Sequence, residues 1–318
     1  MKLLVTGGAG YVGSVVAAQL LEIGHRVVVL DDLSTGHADA CPAGARLVRG
    51  TLRSAAFSVL SEGGFDAVLH LAARSVADGT AHWREICWDA NFCETLALLD
   101  AMRCTGVDRI VVSSTAAVYG EPASAPVHET DPTVPTGPFG AAKLAVDRTL
   151  EDSARLYGLG SVSLRYVNVA GAYGRHGERH TVETHLIPNL LAVALGRRDH
   201  AAVFGADHPT PDGTCVRDYV HVADLGVAHV LALQACEPGR HAVYNVGGET
   251  GYSVRDVLEV CREVTGRPIP ARIAPRRPGD PAVLVASAAE IGADLGWTAR
   301  RGLPEMVEDA WRFHRDRG

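Results

Sequence analysis

No C-x-x-C pair occurs in this chain, and its seven cysteines (Cys41, Cys87, Cys93, Cys104, Cys215, Cys236, Cys261) are scattered and odd in number. Neither a disulfide framework nor a thiolate metal site is indicated. No apolar run reaches the ~18 residues of a membrane span. No long apolar leader region precedes the first strand, since Lys2-Leu-Leu-Val-Thr-Gly enters it at once, so a reducing cytoplasm is the default compartment. A basic excess is also missing: 30 Lys and Arg face 37 Asp and Glu, for a net charge of -7. That balance argues against nucleic acid as the main partner. Internal repeats, charge runs and low-complexity segments are absent too.

What is present is a chain of 318 residues, 47% hydrophobic, long enough for one large α/β domain or two lobes. Short apolar strands alternate with helical stretches through the first half, the pattern of a doubly wound parallel sheet. Strands are expected at Leu3–Thr6, Arg26–Asp31, Arg46–Arg49, Asp66–His70, Arg109–Ser113 and Val162–Tyr166. Helices are expected at Tyr11–Ile23, Trp83–Cys104 and Phe139–Tyr157. After about Ala170 the rhythm changes to longer loops rich in Gly, Pro and His, such as Gly205–Gly213 and Ala274–Pro281. The reading is a Rossmann-type domain over residues 1–170 and a smaller substrate-binding lobe over 171–318, with room for the chain to cross back.

Gly7-Gly8-Ala9-Gly10-Tyr11-Val12-Gly13 lies between the first strand and the first helix. Glycines there allow a tight turn, close approach of pyrophosphate to backbone, and close helix packing. Asp31, at the end of the second strand, completes the dinucleotide fingerprint. Its carboxylate suits both ribose hydroxyls, and Asp31-Asp32 has no neighbouring cation to welcome a 2'-phosphate, so NAD is expected over NADP. Thr115 ends the fifth strand at the ligand-binding edge of the sheet. Phe139 and Lys143 begin a helix one turn apart on one face. With tyrosine at 139, the three would make a proton-transfer constellation on a substrate alcohol, Lys143 lowering the phenol pKa.

The chain resembles the UDP-glucose 4-epimerases (UDP-galactose 4-epimerases) of the extended short-chain dehydrogenase/reductase superfamily. The carriers are Val5-Thr-Gly-Gly-Ala-Gly-Tyr-Val-Gly-Ser14, Ser113-Ser-Thr-Ala-Ala-Val-Tyr-Gly120, Leu164-Arg-Tyr-Val-Asn-Val-Ala-Gly-Ala172, Pro209-Thr-Pro-Asp-Gly-Thr-Cys-Val-Arg-Asp-Tyr-Val-His-Val222 and Arg276-Arg-Pro-Gly-Asp280. The resemblance implies tightly held NAD that takes hydride from C4 of a UDP-sugar and returns it to the other face, the tyrosine handling the hydroxyl proton. It implies cofactor contacts at Gly7, Gly10, Tyr11, Val12, Gly13, Asp31, Asp32, Thr35, Gly36, Thr51, Leu52, Leu71, Ala72, Ala73, Asn91, Lys143 and Val167. For the UDP-sugar it implies Thr115, Asn168, His185, Leu186, Phe204, Arg217, Tyr219, Arg277, Asp280 and Leu284, with Leu284 where the C2 substituent is limited. A homodimer through the helix Trp83–Cys104 is implied as well.

The chain departs from that family at Phe139, which carries no proton; an introduced Tyr→Phe change and natural divergence both account for it. Thr51 stands where the family has an aspartate at the adenine. Ala77-Asp78-Gly79-Thr80 replaces a Gly-Glu-Ser segment, and Arg74 lies near the expected nicotinamide path. Two other readings therefore stay open: an NAD-dependent sugar dehydratase, and an NAD- or UDP-sugar-binding protein impaired in turnover. His176, His180 and His185 resemble a metal triad only superficially, because the loop joining them has no helical pattern, and no metal is expected. His70 reads as a core histidine.

Overall fold

The computed structural model describes residues 1–75, 82–277 and 279–317, so the expectation for Ala77–Thr80 lies outside the described residues. The first half runs β1 (Lys2–Thr6), α1 (Tyr11–Glu22), β2 (Arg26–Asp31), β3 (Arg46–Arg49), α2 (Leu52–Ser61), β4 (Ala67–His70), α3 (Trp83–Trp88), α4 (Glu94–Thr105), β5 (Arg109–Thr115), α5 (Pro138–Tyr157) and β6 (Gly160–Tyr166). The second continues with β7 (Asn168–Ala170), β8 (Ala172–Tyr173), β9 (His176–Gly177), α6 (Leu186–Ala194), β10 (Ala201–Phe204), β11 (Val216–His221), α7 (Val222–Gln234) and β12 (His241–Val246). It closes with β13 (Gly251–Ser253), α8 (Val254–Thr265), β14 (Ala271–Ala274), β15 (Val283–Leu284), α9 (Ala289–Leu295) and α10 (Leu303–Arg315).

The main sheet has seven strands in the order β12-β6-β5-β4-β1-β2-β3, every pair parallel. Its central strands are apolar on both faces, with Leu3, Leu4, Val5, Val68, Leu69, Ile110 and Val111 fully buried, as helices on both sides require. The strand order reverses between β1 and β4, which opens a crevice at their carboxyl ends. The chain does return to this sheet: β12 pairs with β6 from His241↔Ser161 to Val246↔Tyr166. Helix α7 also comes back against α1, where the Gln19 side chain donates to the Ala223 carbonyl at 3.0 Å.

A buried polar chain fixes the edge of the sheet nearest the second lobe. Arg165 pairs with Asp147 at 3.0 Å and donates to the Tyr119 hydroxyl at 3.1 Å; that hydroxyl donates to Asn245 at 2.8 Å. The Arg165–Asp147 charges are paired through Asp147 Oδ2, while its Oδ1 is buried without a partner, so the network offsets most of a burial cost of several kcal/mol per charge. The second lobe has its own core, in which α6, α8 and α10 enclose Leu190, Leu191, Val257, Leu303 and Val307. There β11 pairs with β13, β15 and β7, and β10 with β14.

The helix expected over Trp83–Cys104 is interrupted by a π-helical turn at Asp89–Cys93. Asn91 explains it: its amide donates to the Cys87 carbonyl at 2.8 Å, a partner that an ordinary helical turn would leave to backbone. Such bulges recur at functional sites.

Candidate active site

The glycine turn packs so closely that side chains are excluded. A Cβ on Gly13 would lie 2.1 Å from the Gly7 carbonyl oxygen, and one on Gly7, at φ +70°, would lie 2.5 Å from the Ala72 nitrogen. The bare backbone therefore leaves the start of α1 open to an anion, beside its unpaired N–H groups. Asp31 shapes the next stretch by accepting from Ala9 N–H at 2.9 Å and Leu33 N–H at 2.8 Å. Burial raises its pKa, and the two amide donors pull against that shift.

One cleft of about 520 Å³ runs from this cradle across the sheet edge. Gly7, Gly10, Tyr11, Val12, Gly13, Asp31, Asp32, Thr35, Thr51, Leu52, Leu71, Ala72, Ala73 and Val167 line it. So do Thr115, Phe139, Asn168 and His185. Most residues expected at the cofactor thus share one cavity with three of those expected at the UDP-sugar, Thr115, Asn168 and His185.

Thr115 and Phe139 are brought together by a close helix approach. A Cβ on Gly140 would meet the Ala117 carbonyl oxygen at 2.4 Å, so only glycine lets the first turn of α5 seat against the turn after β5. Gly137 and Pro138 start that helix, proline being pre-set for the first helical position. The Thr115 hydroxyl accepts from Ala117 N–H at 3.1 Å, which leaves its own proton free to donate. Phe139 presents its ring to the cleft, with the Lys143 ammonium 5.9 Å from the ring centroid.

Lys143 is 1% exposed. Burial pushes its pKa down to about 8, against the opposing pull of Asp147 and Cys87. Its folded pKa lies below the ordinary 10.5, so the unfolded chain binds more protons between these values. This group's contribution to stability therefore rises with pH through that window. Urea unfolding across pH 7.5 to 10.5 should show native stability rising relative to a Lys143→Met variant; parallel curves would refute a strained ammonium.

Asn91, Tyr219 and Gly36 do not line the cleft wall. Asn91 lies outside the cleft; it is fully buried and its amide is engaged with the Arg74 backbone at 2.9 and 3.0 Å. It holds the segment after β4 in place. Tyr219 is 6% exposed and packs in the second-lobe core, its ring 6.3 Å from that of Tyr252. Gly36 faces Ala9 and Asp31 at 3.0 Å and shapes the turn from behind. The Thr51 hydroxyl accepts from Ser54 N–H and caps α2.

A second group of expected residues lies on the other lobe. The Arg277 guanidinium stacks on Phe204 at 3.9 Å, and Arg217, Asp280 and Arg277 all bear electrostatically on Cys215. Arg217 and Leu284 are register partners on β11 and β15. Leu284 packs against a small apolar cluster that includes Val118, Val127 and Ala286. Leu186 opens α6. His70 is satisfied on both nitrogens, by Thr6 at 2.7 Å and Thr95 at 2.8 Å, and burial holds its pKa down at about 3.

Sequence reasoning missed Glu178 and Glu183. Both join His180 and His185 in one cluster, while His176 stands apart, buried with an unpartnered Nδ1. Burial opposes protonation of His180 and His185, yet their carboxylate contacts outweigh it and raise both. Only the alternation Glu-x-His-x-x-Glu-x-His could have signalled the cluster.

The fold and cleft define a dinucleotide-binding α/β protein of the doubly wound type with a second, separately packed hydrophobic core. The profile of the NAD dependent epimerase/dehydratase family matches residues 3–247, and the chain belongs to that family. It is 55% identical to a UDP-glucose 4-epimerase of Corynebacterium glutamicum over 98% of this chain and 95% of that one. A UDP-glucose 4-epimerase of Streptomyces lividans is 52% identical, over 98% and 96%. Among solved structures, a UDP-glucose-4-epimerase from Stenotrophomonas maltophila with bound NAD and formylated UDP-arabinopyranose superposes with a TM-score of 0.94 at 38% identity, covering 100% of this chain and 98% of that one. The Bifidobacterium longum enzyme, solved with NAD+ and UDP, also gives 0.94, at 33% identity over 99% and 98%.

Proposed function

We propose that this chain is an NAD-dependent UDP-glucose 4-epimerase, an isomerase of nucleotide sugars, whose proton-transfer step is weakened by Phe139. The observation that carries the reading is the single cleft joining the glycine cradle and Asp31 to Thr115 and Phe139. The residues fit NAD: the backbone at Gly7 and Gly13 admits no Cβ, Asp31 keeps a buried carboxylate at the ribose end, and Lys143 is a buried cation. NAD, when bound, supplies the acceptor and then the donor of the C4 hydride.

The chain's own residues do the rest. The start of α1 holds pyrophosphate, and Asp31 receives the adenosine ribose hydroxyls. Lys143 reaches the nicotinamide ribose, and Thr115 donates its free proton to the sugar hydroxyl at C4. Arg217 and Arg277 hold the UDP diphosphate by charge-assisted contacts, Phe204 and Leu186 flank uridine, and Asn168 and Asp280 complete the UDP site. Leu284 bounds the sugar. The firm grip falls on UDP and the sugar is held loosely, as a turning intermediate needs. The relatives at 55% and 52% identity are UDP-glucose 4-epimerases, which favours epimerisation over dehydration.

The domain reading follows the same division, with residues 1–170 carrying the NAD site and most of the UDP contacts in 171–318. A homodimer is part of the proposal: α3 and the π turn pack against α5, Arg103 of α4 lies over the Tyr157 ring of α5 at 5.9 Å, and α4 and α5 expose Leu96, Leu156 and Tyr157. Light scattering should give the mass of two chains; a monomer at micromolar concentration would remove this part. The catalytic test is proton NMR of UDP-galactose incubated with the protein and with a Phe139→Tyr variant. UDP-glucose formed by the variant supports the reading. No turnover by a variant that holds NAD and UDP overturns it, and an alkene signal would move it to dehydration.

A further inference from the structure

We infer that Glu178, His180, Glu183 and His185 form a binding site for one zinc-like divalent transition-metal ion on the wall of the cleft. The four residues lie on the irregular stretch between β9 and α6, and one ligand atom from each falls within 4.8 Å of all the others.

The distances decide what the cluster suits. His180 Nδ1 is 3.0 Å from Glu178 Oε1 and 3.7 Å from Glu183 Oε2; His185 Nδ1 is 2.7 Å from Glu178 Oε1 and 2.8 Å from Glu183 Oε1. Bonds of ~2.0 Å to a tetrahedral ion place ligand atoms ~3.3 Å apart, inside the span of these values. Two imidazoles and two carboxylates are a donor set that zinc accepts, and a full set of four protein ligands marks a structural site more than a catalytic one.

The alternative is a purely protonic cluster, two imidazoliums against two carboxylates. It is less well satisfied. Both rings turn the same nitrogen, Nδ1, toward the same buried oxygen of Glu178, with centroids only 5.3 Å apart. His185 also meets Glu183 Oε1 at 2.8 Å, so each imidazolium would have a carboxylate, yet two like charges would sit side by side. A single dication between neutral rings gives the same net charge without that repulsion.

The surroundings are already built to hold the loop. Arg179 makes a two-pronged contact with Asp39 at 3.0 and 2.9 Å, His37 meets the Arg179 carbonyl at 3.0 Å, and Asn189 donates to the His185 carbonyl at 2.8 Å. These contacts fix the chain on both sides of His180, so the ligands are pre-set rather than gathered by the ion. A metal here would lock the stretch 178–185 and with it the start of α6. The inference stands on this cluster alone and does not depend on the reaction assigned to the cleft.

The test uses the full chain without a polyhistidine tag. Elemental analysis should find about one zinc per chain, or chelator-treated protein should take up one equivalent of Zn²⁺ with a rise in thermal midpoint. Co²⁺ in its place should give the visible absorption of a tetrahedral ion. A His180→Ala/Glu183→Gln double variant, shown folded by circular dichroism, should bind Zn²⁺ at least about 10-fold more weakly. His176→Ala should bind it as the parent does. Trace metal with no saturable uptake by the folded parent would overturn the site in favour of the protonic cluster. So would zinc retained with unchanged affinity by the double variant.

Discussion

Changing Phe139→Tyr should raise epimerase turnover by ~10²–10⁴-fold, the usual worth of one positioned proton carrier. The ring is already in place. Its helix starts at Pro138, Gly140 lets that start press on the turn after β5, and the ring lines the same cleft as Thr115. A phenol would meet two fixed neighbours. Lys143, 5.9 Å from the present ring centroid, would favour the phenolate by its charge. Thr115 would supply the hydroxyl that keeps a substrate oxygen in reach. Because only one oxygen atom is added at the open end of a half-buried ring, bound NAD and the affinity for UDP should stay as they are. The gain should therefore fall in kcat, the signature of an interaction made in the transition state. A rise of less than about tenfold, with NAD and UDP bound, would mean that 139 is not the proton-carrying position in this chain.

The parts legible in the sequence are those with a short-range cause. The strands Arg26–Asp31 and Arg46–Arg49 carry the same bounds in the structure; Val27–Leu30 is an unbroken apolar run, and Leu47-Val48 a short β-branched and aliphatic pair bounded by arginines. The cradle at Gly7–Gly13 was legible because three glycines have one physical use between a strand and a helix. What escaped depends on partners far along the chain. The π turn at Asp89–Cys93 follows from one Asn91 side chain reaching back to Cys87 and across to Arg74, and no periodicity announces it. Asn91 itself was placed at the cofactor by resemblance, whereas its amide holds the protein's own backbone. The Glu178–His185 cluster needed a loop conformation, which pattern alone does not supply. That the chain crosses back was allowed for, but which strand returns was not: β12 pairs with β6 across about 80 residues, outside any local window.

Gly13→Ala should abolish tight NAD binding, while Gly24→Ala should leave it intact, and the pair separates two ways in which glycine matters. At Gly13 the backbone angle is one any residue adopts. The obstacle is contact: a Cβ would sit 2.1 Å from the Gly7 oxygen, 2.7 Å from the Gly7 carbonyl carbon and 2.9 Å from the Gly8 Cα. All three are backbone atoms of the turn itself, so no side chain can swing aside. Helix α1 must back away from the turn, and its N–H groups then miss a pyrophosphate by a fraction of an ångström or more. Misplacement on that scale costs about 100-fold in well-positioned sites. At Gly24 the reverse holds. Its φ is +88°, yet nothing lies within 4 Å of the added carbon. Alanine there suffers only the left-handed strain of ~1–2 kcal/mol, felt as a lower thermal midpoint some distance from the cleft. Overpacking at Gly13 should lower stability by a similar ~1–3 kcal/mol. The two variants should therefore look alike in a melt and differ in NAD content and in calorimetric titration with NAD. If NAD affinity falls in both by the amount each is destabilised, close approach at the turn is not what holds the pyrophosphate. If it falls only in Gly13→Ala, the tight packing of α1 against the turn is itself the binding device.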